Sequence, residues 1–574
     1  MFARGARAAA VLPTTAGQTA LPIVDLGYEL HQAISLDVRY AMLPYPFLPH
    51  GVMLSYCDEQ TQTYNFSNIR YAAPPTGPLR FRPPVPVAAG PGNSSKEVEN
   101  GAQGRVCPQA ALRWEEEIMP GFVAGVLASE SGAAGPASGD ARTTEDCLFL
   151  DVIVPKEVFE RNTIQRKGNK AHDGLAPVLV WIDGGGYIAG DKTEQSPLGL
   201  IQRSLVDGED GIVYVAINYR LGAFGWLSDG NGIANAGLYD QRLALEWVKE
   251  HIGLFGGDPD RITVMGQSAG AGSIVHQLAT YGDDTNPQAR PFRQAIVQSP
   301  IWYPLSAKQQ ASTRDAFLEL LNVSSIEEAQ SLPSEQLIAT NAYQIANTPI
   351  YGTFTYGPVV DGSLVRDWPS KILLDPNFGW QDLRLMTGHA SNEGLIFTPP
   401  AGVNSSAYAT ILSDFLPDLA PESLEDIAQT LYPTSSNASA ANLGYSDALG
   451  RMALTISDAF FTCKNQYLSI ALDTYAYIFD VPPGLHSYDL YFTFYDPARP
   501  DPSVVDVDLA LAIQDYIISF VREGRPSSLA AAAATSWIPY RAQNQVLNIQ
   551  AGNISSVPDP VGRDRCQVWW KLTG

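Results

Sequence analysis

A serine flanked by two glycines lies between a short apolar run and a stretch with helical spacing. The pattern is Gly266-x-Ser268-x-Gly270, and Ile262–Met265 forms the apolar run before it. A sharp turn from strand to helix needs these glycines, because it leaves no space for side chains beside a serine in a strained backbone conformation. The turn exposes the hydroxyl. The pattern therefore predicts that Ser268 is a nucleophile of the kind used in acyl transfer.

A histidine has to remove the proton of such a serine, and a carboxylate has to hold the imidazole in the required tautomer. In chains with this turn the order is serine, acid, histidine. Of seven histidines, only His389 and His486 follow the segment at residues 262–278 that contains this turn and its helical stretch. His486 lies in a Pro- and Gly-rich loop after the strand-like run Tyr475–Val481, so we predict that it is the base. Many carboxylates lie between serine and histidine, and the pattern alone does not choose among them.

Strand-like apolar runs alternate with helical stretches such as Leu238–Glu250 around these residues. Such alternation indicates parallel β-α-β units with helices on both faces of a sheet, so the predicted fold class is α/β. The strands are predicted at Pro177–Asp183, Ile212–Asn218, Ile262–Met265 and Ala295–Gln298.

The chain is interpreted as one elaborated domain over residues 21–574. Residues 310–470 are more helical and more irregular than their surroundings, which is typical of a cap inserted on the sheet to shape a substrate site. Residues 1–20 are predicted to be an N-terminal extension, either disordered or the remnant of a targeting segment. No stretch has the character of an interdomain linker.

The composition argues against two classes of partner. The formal net charge is −23, with 45% hydrophobic and 17% charged residues, and these fractions are typical of an ordered globular protein. The negative charge repels phosphate backbones, so nucleic acid is not an expected partner. The apolar stretch at 509–521 contains Asp515 and is shorter than the roughly 18 uncharged residues of a membrane span. We expect a soluble protein, either a monomer or a dimer.

Six Asn-x-Ser/Thr sequons favour the secretory pathway, since the composition would give about three by chance. The apolar run Ala8–Leu12 is shorter than the core of a usual signal peptide. The alternatives are an altered start of the chain or a protein that stays inside the cell. The sequons begin at Asn65, Asn93, Asn322, Asn404, Asn437 and Asn553.

Further motifs, spread over most of the chain, resemble the type-B carboxylesterase and cholinesterase-like family, including fungal carboxylesterases and lipases. The resemblance implies an α/β-hydrolase fold with a large, mostly parallel central sheet and a helical cap. It also implies hydrolysis of small-molecule carboxylic esters without a cofactor or a metal. The motifs are Asn68–Phe81, Glu145–Leu148, Asn218–Gly222, Gly237–Arg242, Phe255–Pro259 and Trp537–Tyr540.

The resemblance also implies which carboxylate is the acid and where the oxyanion is bound. Residues 385–397 resemble the segment that carries the family's catalytic glutamate, which falls on Glu393, with His389 as a neighbour. The glycines at 184–186 resemble the family's oxyanion loop. Glycine suits this loop because backbone N–H groups must approach the substrate closely. The expected donors are Gly185, Gly186 and Ala269.

Two residues beside this site depart from the family pattern. Family members usually carry Glu before the serine and an uncharged residue before the three glycines, whereas this chain has Gln267 and Asp183. A neutral Gln267 argues against a choline ester as substrate. We expect the Asp183 side chain to be hydrogen-bonded and turned away from the oxyanion, because an unpaired charge there would oppose the developing negative charge.

The five cysteines cannot all pair within the chain, and pattern alone does not select the pairs. The resemblance implies the disulfides Cys107–Cys147 and Cys463–Cys566. Cys57 would then be a free thiol, for which a buried structural role is favoured over catalysis.

The loop between Cys107 and Cys147 contains apolar residues with helical spacing. We favour packing of these residues against the core, and the alternative is a mobile flap of the kind found in similar fungal lipases. Trp114 also lies in this loop, but its spacing does not match the choline-binding tryptophan of cholinesterases. The apolar residues are Ile118, Met119, Phe122, Val123, Val126 and Leu127.

The sequence therefore predicts a serine carboxylic ester hydrolase that forms an acyl-enzyme from small to medium uncharged esters. The alternatives within enzymology are a lipase with a lid and an acyltransferase or tailoring esterase of secondary metabolism. A non-catalytic adhesion relative is disfavoured, because the chain retains all three residue types of a catalytic triad.

Overall fold

The computed structural model describes residues 21–40, 60–88, 98–117, 140–167, 174–206, 210–230, 232, 234–282, 290–302, 305–348, 350–375, 378–380, 382–400, 403–404, 406–434, 442–528 and 537–573. The predictions for residues 1–20, for Cys57 and for the apolar positions at 118–127 lie outside these ranges.

The described strands form one eleven-stranded sheet and one small three-stranded sheet. The order in the large sheet is β14-β13-β12-β11-β10-β9-β7-β8-β6-β4-β3, and that in the small sheet is β1-β2-β5. The strands are β1 (Ile23–Asp25), β2 (Leu30–Gln32), β3 (Ser35–Tyr40), β4 (Gln60–Arg70), β5 (Val98–Glu99), β6 (Phe149–Pro155), β7 (Ala176–Ile182), β8 (Val213–Ile217), β9 (Gly257–Gln267), β10 (Gln294–Gln298), β11 (Arg384–Ala390), β12 (Tyr475–Phe479), β13 (Gln545–Gln550) and β14 (Asn553–Pro558).

The seven central strands, from β13 to β8 along the sheet, run parallel to one another, and the flanking strands β14, β6, β4 and β3 pair antiparallel. Parallel neighbours align their carboxyl ends at one edge, and α/β proteins bind ligands at that edge. The predicted α/β class with a large, mostly parallel sheet is confirmed.

The α-helices are α1 (Arg113–Glu117), α2 (Lys156–Lys167), α3 (Leu198–Arg203), α4 (Gly222–Trp226), α5 (Ala236–His251), α6 (Ala269–Gly282), α7 (Ala307–Leu321), α8 (Ile326–Gln330), α9 (Ser334–Ala346), α10 (Pro369–Leu373), α11 (Tyr408–Phe415), α12 (Pro421–Asp426), α13 (Ala448–Ser457), α14 (Cys463–Leu472), α15 (Asp489–Thr493), α16 (Val507–Glu523), α17 (Tyr540–Gln543) and α18 (Arg563–Thr573). Short 3-10 turns lie at Gly77–Leu79, Ile252–Phe255 and Glu393–Leu395, and π-helical turns lie at Ile427–Leu431 and Asp458–Thr462. No helix among the described residues has the length and apolar character needed to cross a lipid bilayer.

Alternate residues of β7 pack into two different apolar layers. Val180 and Ile182 belong to the layer that contains residues of α5 and α6, whereas Leu179 and Trp181 belong to the layer that contains residues of α16. Successive side chains of a strand point to opposite faces, so a strand that is apolar at every position is buried on both sides. The sheet therefore lies between two helical layers, as the sequence predicted.

The predicted cap region, residues 310–470, contains most of α7 and the helices α8 to α13, but it also contains β11. This strand pairs with β10 and β12 in the centre of the large sheet. The region is therefore helical on either side of a central strand. The sequence of β11, Arg-Leu-Met-Thr-Gly-His-Ala, mixes polar and apolar residues and does not indicate a buried strand. Six of its seven residues are nevertheless buried.

Both disulfides implied by the resemblance are present. Cys107 is bonded to Cys147, and Cys463 is bonded to Cys566 across 103 residues. The second disulfide joins α14 to α18, so it fixes the last described helix to the region beside β11 and β12.

Candidate active site

Ser268 lies in the sharp turn between β9 and α6 at the carboxyl edge of the sheet. Its φ angle is +54°, a left-handed conformation that is strained for a residue with a side chain. A Cβ atom at Gly270 would lie 2.1 Å from the carbonyl oxygen of Ile182, and one at Gly266 would lie 2.8 Å from the backbone of Gly270. Both flanking glycines are therefore required by close backbone approach, as expected for a nucleophile elbow.

Glu393 and His486 come together from two neighbouring strand ends. Glu393 lies in the 3-10 turn after β11, and His486 lies in the loop after β12. His486 Nδ1 is 2.5 Å from Glu393 Oε2, and the two side chains are 6% and 0% exposed. The imidazole therefore has the orientation that turns Nε2 away from the carboxylate.

The other carboxylate oxygen of Glu393 accepts two further hydrogen bonds. The hydroxyl of Ser299 donates to Oε1 over 2.5 Å, and the backbone N–H of Ala390 donates to it over 2.6 Å. Burial alone would raise the pKa of Glu393, but the charge of His486 and these hydrogen bonds outweigh burial and lower it. The carboxylate is therefore ionised at neutral pH, as the partner of an imidazolium must be.

Backbone contacts fix the distance between the loops of Glu393 and His486. The N–H of Asn392 donates to the carbonyl of Gly484 over 2.8 Å, and that of Ser391 donates to the carbonyl of Phe479 over 3.0 Å. A Cβ atom at Gly484 would lie 2.2 Å from Ser391 Oγ, so a larger residue there would displace the Ser391 side chain. Main-chain as well as side-chain contacts therefore hold the segments of Glu393 and His486 together.

His389, the second histidine that follows the elbow, lies on β11. Its Nδ1 is 2.9 Å from the carbonyl oxygen of Ala390, and the side chain is buried beside the acid turn. It is a neighbour of the Glu393 segment, whereas His486 is the histidine that contacts the Glu393 carboxylate.

The glycine loop after β7 exposes backbone N–H groups beside Ser268. Gly185 and Gly186 have φ angles of +83° and +59°, and Ala269 is the first residue of α6. Within the described residues, none of these three N–H groups donates a backbone hydrogen bond outside regular elements. A Cβ atom at Gly186 would lie 2.1 Å from the ring of Phe354. The loop therefore has backbone N–H groups without such a bond, and the Phe354 ring packs closely against it.

The Asp183 side chain lies on the side of β7 that carries Trp181. Its Oδ1 accepts a hydrogen bond from Trp181 Nε1 over 3.1 Å, and the residue is 4% exposed. Burial, with the charge of Glu194 as the next cause, raises the pKa of Asp183 well above its ordinary value. The carboxyl group is thus hydrogen-bonded and favours the neutral form.

Gln267 lies between the glycine loop and His486. Its Nε2 is 3.2 Å from His486 Nε2 and 2.8 Å from Ser487 Oγ. Since Gln267 is covalently joined to Ser268, this contact places Ser268, His486 and Glu393 in one neighbourhood at the carboxyl edge of the sheet.

A cavity of about 720 Å³ opens beside Ser268 and Gly186. Phe354, Phe397 and Phe461 line it close to the proposed site, and the last two pack on His486 with ring centroids 5.2 Å and 4.8 Å from the imidazole. Trp114 packs against Tyr351, Phe354 and Phe397, with centroids 4.8–6.3 Å apart. Trp114 therefore packs against two of the aromatic residues that line the cavity, Phe354 and Phe397.

Several residues at the site were not singled out from the sequence. These are the polar residues Ser299 and Ser487 and the aromatic residues Phe354, Phe397 and Phe461. Ser299 alone carried a usable signal, because it directly follows a strand at the carboxyl edge. Among the described residues, no group of three or more His, Cys, Asp or Glu side chains is arranged to hold a metal ion.

Comparison with known proteins shows what the whole chain resembles. Residues 50–569 match the model of the carboxylesterase family. The chain is 38% identical to carboxylesterase patB of Penicillium expansum, with 96% of each chain covered. It is 27% identical to secreted lipase 1 of Botryotinia fuckeliana over 85% of each chain. Its structure is similar to the crystal structure of Aspergillus niger EstA, with a TM-score of 0.71 and 25% identity, covering 96% of this chain and 98% of that one.

Proposed function

The chain belongs to the carboxylesterase family and is a carboxylic ester hydrolase, in which we propose that Ser268 is the nucleophile, His486 the base and Glu393 the acid. The observation that carries this proposal is the 2.5 Å contact between His486 Nδ1 and Glu393 Oε2. It is supported by the strained turn at Ser268 and by the contact of the adjacent Gln267 with His486 Nε2. We also propose that residues 21–574 are one catalytic domain, since the large sheet takes strands from β3 to β14.

In the first half-reaction, Ser268 Oγ attacks the ester carbonyl carbon while its proton moves to His486 Nε2. Glu393 stabilises the imidazolium that forms. The carbonyl oxygen becomes an oxyanion and accepts hydrogen bonds from Gly185, Gly186 and Ala269, each of which is worth roughly 3 kcal/mol in comparable enzymes. When the tetrahedral intermediate collapses, the bond to the alcohol oxygen breaks and this oxygen takes the proton from Nε2.

In the second half-reaction, water replaces the alcohol. His486 Nε2 removes a proton from the water as its oxygen attacks the acyl carbon, and the same three amides bind the second oxyanion. Collapse of this intermediate releases the acid, and the proton on Nε2 returns to Ser268 Oγ. No group other than the substrate and water is consumed.

The cavity supports small to medium uncharged esters as substrates. The wall near Ser268 is aromatic, which favours an apolar group of the substrate there. Exposed polar and charged residues, including Lys308, Asp414 and Asp418, line the cavity as well. An apolar inner wall with a polar entrance suits an ester that carries polar substituents at one end.

A location in the secretory pathway is part of the proposal. Its support is the pair of disulfides, which persist in oxidising compartments, and the similarity to a secreted lipase. We expect a monomer or a dimer, which sedimentation of the purified protein will distinguish.

The test is covalent labelling with a fluorophosphonate probe together with hydrolysis of a series of p-nitrophenyl esters. We expect the parent protein to be labelled and Ser268→Ala to lose both labelling and hydrolysis, while Ser331→Ala, an exposed serine outside the cavity, keeps both. Labelling that persists in Ser268→Ala would remove the proposed nucleophile. Activity on a triacylglycerol emulsion would favour a lipase, and ester products formed with added alcohols would favour acyl transfer.

A further inference from the structure

Gln267 contacts the nitrogen of His486 that has to accept the serine proton. Gln267 Nε2 lies 3.2 Å from His486 Nε2 and 2.8 Å from Ser487 Oγ. The residue is 3% exposed, and a Cβ atom at Gly184 would lie 3.0 Å from Gln267 Oε1. The side-chain amide therefore fills the space between the glycine loop and the base, with its carbonyl towards the loop and its NH2 group towards the imidazole.

The direction of these hydrogen bonds determines which form of His486 they favour. His486 Nδ1 faces a carboxylate oxygen, so in the neutral imidazole the proton lies on Nδ1 and Nε2 carries a lone pair. The NH2 group of Gln267 has two N–H donors, one for this lone pair and one for Ser487 Oγ. A protonated Nε2 carries its own N–H and cannot accept. The contact is therefore made only with the neutral imidazole.

We propose that Gln267 is a positioning residue that holds His486 neutral and correctly oriented before the reaction, and thereby extends activity to lower pH. The inference rests on the proposed function, in which His486 is the base. It concerns this chain in particular, because a glutamate at position 267 would favour the imidazolium instead.

The hydrogen bond from Gln267 has to break during acylation. As Ser268 Oγ forms its bond to the carbonyl carbon, the serine proton moves to His486 Nε2 and takes the place of the Gln267 N–H at the lone pair. The amide keeps its second bond, to Ser487 Oγ, so it stays in position and can return when Nε2 releases the proton to the alcohol.

In the part of the chain that the structure describes, two carboxyl groups act on the His486 imidazole. Glu393 contacts Nδ1, and Asp489 interacts electrostatically with both. Burial, together with the charge of Glu393, raises the pKa of Asp489 to about 6, and its Oδ2 accepts hydrogen bonds from Gln298 and Tyr477. Both carboxyl groups are present in every variant of Gln267. A difference between the pH profiles of these variants therefore measures the effect of the Gln267 side-chain amide.

The test compares the pH dependence of kcat/KM for a neutral p-nitrophenyl ester, and of the fluorophosphonate labelling rate, in the parent, Gln267→Met and Gln267→Glu. Methionine keeps the length of the side chain without its N–H groups. We expect the acidic limb of the Gln267→Met profile to move to higher pH by up to about one unit, because one unit corresponds to the free energy of about one net hydrogen bond. The limb of Gln267→Glu should move further, because a carboxylate stabilises the imidazolium. Gln543→Met, at an exposed position, is the matched control.

An unchanged acidic limb in Gln267→Met would overturn the inference, and a limb moved to lower pH would show that the amide carbonyl faces Nε2. Circular dichroism establishes that each variant is folded. If Gln267→Met does not fold, Ser487→Gly removes the second anchor of the amide while tolerating the φ angle of +70° at that position, and its limb should move in the same direction. Loss of labelling in Ser268→Ala is independent of these outcomes, so failure of the inference is distinguishable from failure of the proposed function.

Discussion

The Glu393 carboxylate reaches the His486 imidazole across 93 residues of sequence, and Oε2 lies 2.5 Å from Nδ1. Both residues follow adjacent parallel strands, β11 and β12, whose carboxyl ends meet at one edge of the sheet. Parallel pairing thus brings distant parts of the chain together, and the contacts between the two loops set the final distance.

Replacing Glu393 with glutamine tests this relationship. An amide cannot stabilise the imidazolium, and its NH2 group opposes the Nδ1–H, so we expect kcat to fall by about 10⁴ as in comparable triads. Steady-state kinetics on a p-nitrophenyl ester measures the loss, with the exposed Glu425→Gln as the matched control. A loss below about tenfold would mean that another carboxylate supports the base, since one factor of ten is only 1.4 kcal/mol.

Gly186→Ala tests the glycine loop. The new methyl group would lie 2.1 Å from the Phe354 ring, and the left-handed φ angle of +59° is unfavourable for alanine. Displacement of the loop should lower kcat by about 10²–10³, the effect of losing one oxyanion donor. Gly230→Ala has a φ angle of +73° and no atom within 4 Å of the new methyl group, so it controls for backbone strain alone. The double variant Gly186→Ala/Phe354→Ala should recover part of the lost rate, and a lack of recovery would show that the ring is not the obstacle.

Asp183→Asn tests the neutral carboxyl group beside that loop. The pKa of Asp183 is raised in the folded protein, so the folded state holds this proton more tightly than the unfolded chain. The free energy of unfolding that the protonated Asp183 contributes is therefore lost as the pH rises above about 4, which is the pKa of an aspartate in an unfolded chain. We expect the melting temperature of Asp183→Asn to exceed that of the parent increasingly from that pH towards neutrality, with a similar rate of ester hydrolysis. Melting curves between pH 4 and pH 8 provide the measurement, and a constant difference across this range would contradict it.

The sequons differ in their accessibility to glycosylation. Asn65 lies in β4 between β3 and β6, and its Oδ1 is buried without a hydrogen-bond partner, whereas Asn322 and Asn553 are exposed. Glycosylation requires an exposed side-chain amide, and the burial of Oδ1 at Asn65 disfavours it there. If the chain is expressed through a secretory pathway, we expect glycans at Asn322 and Asn553 and none at Asn65. Peptide mass spectrometry after enzymatic deglycosylation provides the measurement, and occupancy of Asn65 in folded, active protein would contradict the prediction.

The site could be predicted from sequence where its signal was local. Ser268 was predicted because the strand, the turn and the helix are contiguous, and His486 because few histidines follow the turn. Glu393 was selected only by family resemblance, since no short pattern separates it from the other carboxylates. Ser299 and Ser487 became visible only in the fold, where each meets a partner 94 or 220 residues away.

The strands also differ in whether their own residues are enough to predict them. Strand β7 is apolar throughout and was predicted within one residue at each end. Strand β11 is not predicted, because it lies in a region interpreted as a helical cap. Pairing with β10 and β12 stabilises it as a strand, whereas its own composition does not indicate one.

The disulfide between Cys463 and Cys566 affects the order in which this protein can be completed during synthesis. Phe461, two residues before Cys463, packs on the imidazole, and Trp570 in α18 donates a hydrogen bond to the carbonyl of Cys463. A nascent chain still short of residue 566 already contains Ser268, Glu393 and His486, yet it lacks the helix that contacts the segment of Phe461. The support that α18 gives to the segment of Phe461 is therefore complete only after α18 has left the ribosome and an oxidant has closed the bridge.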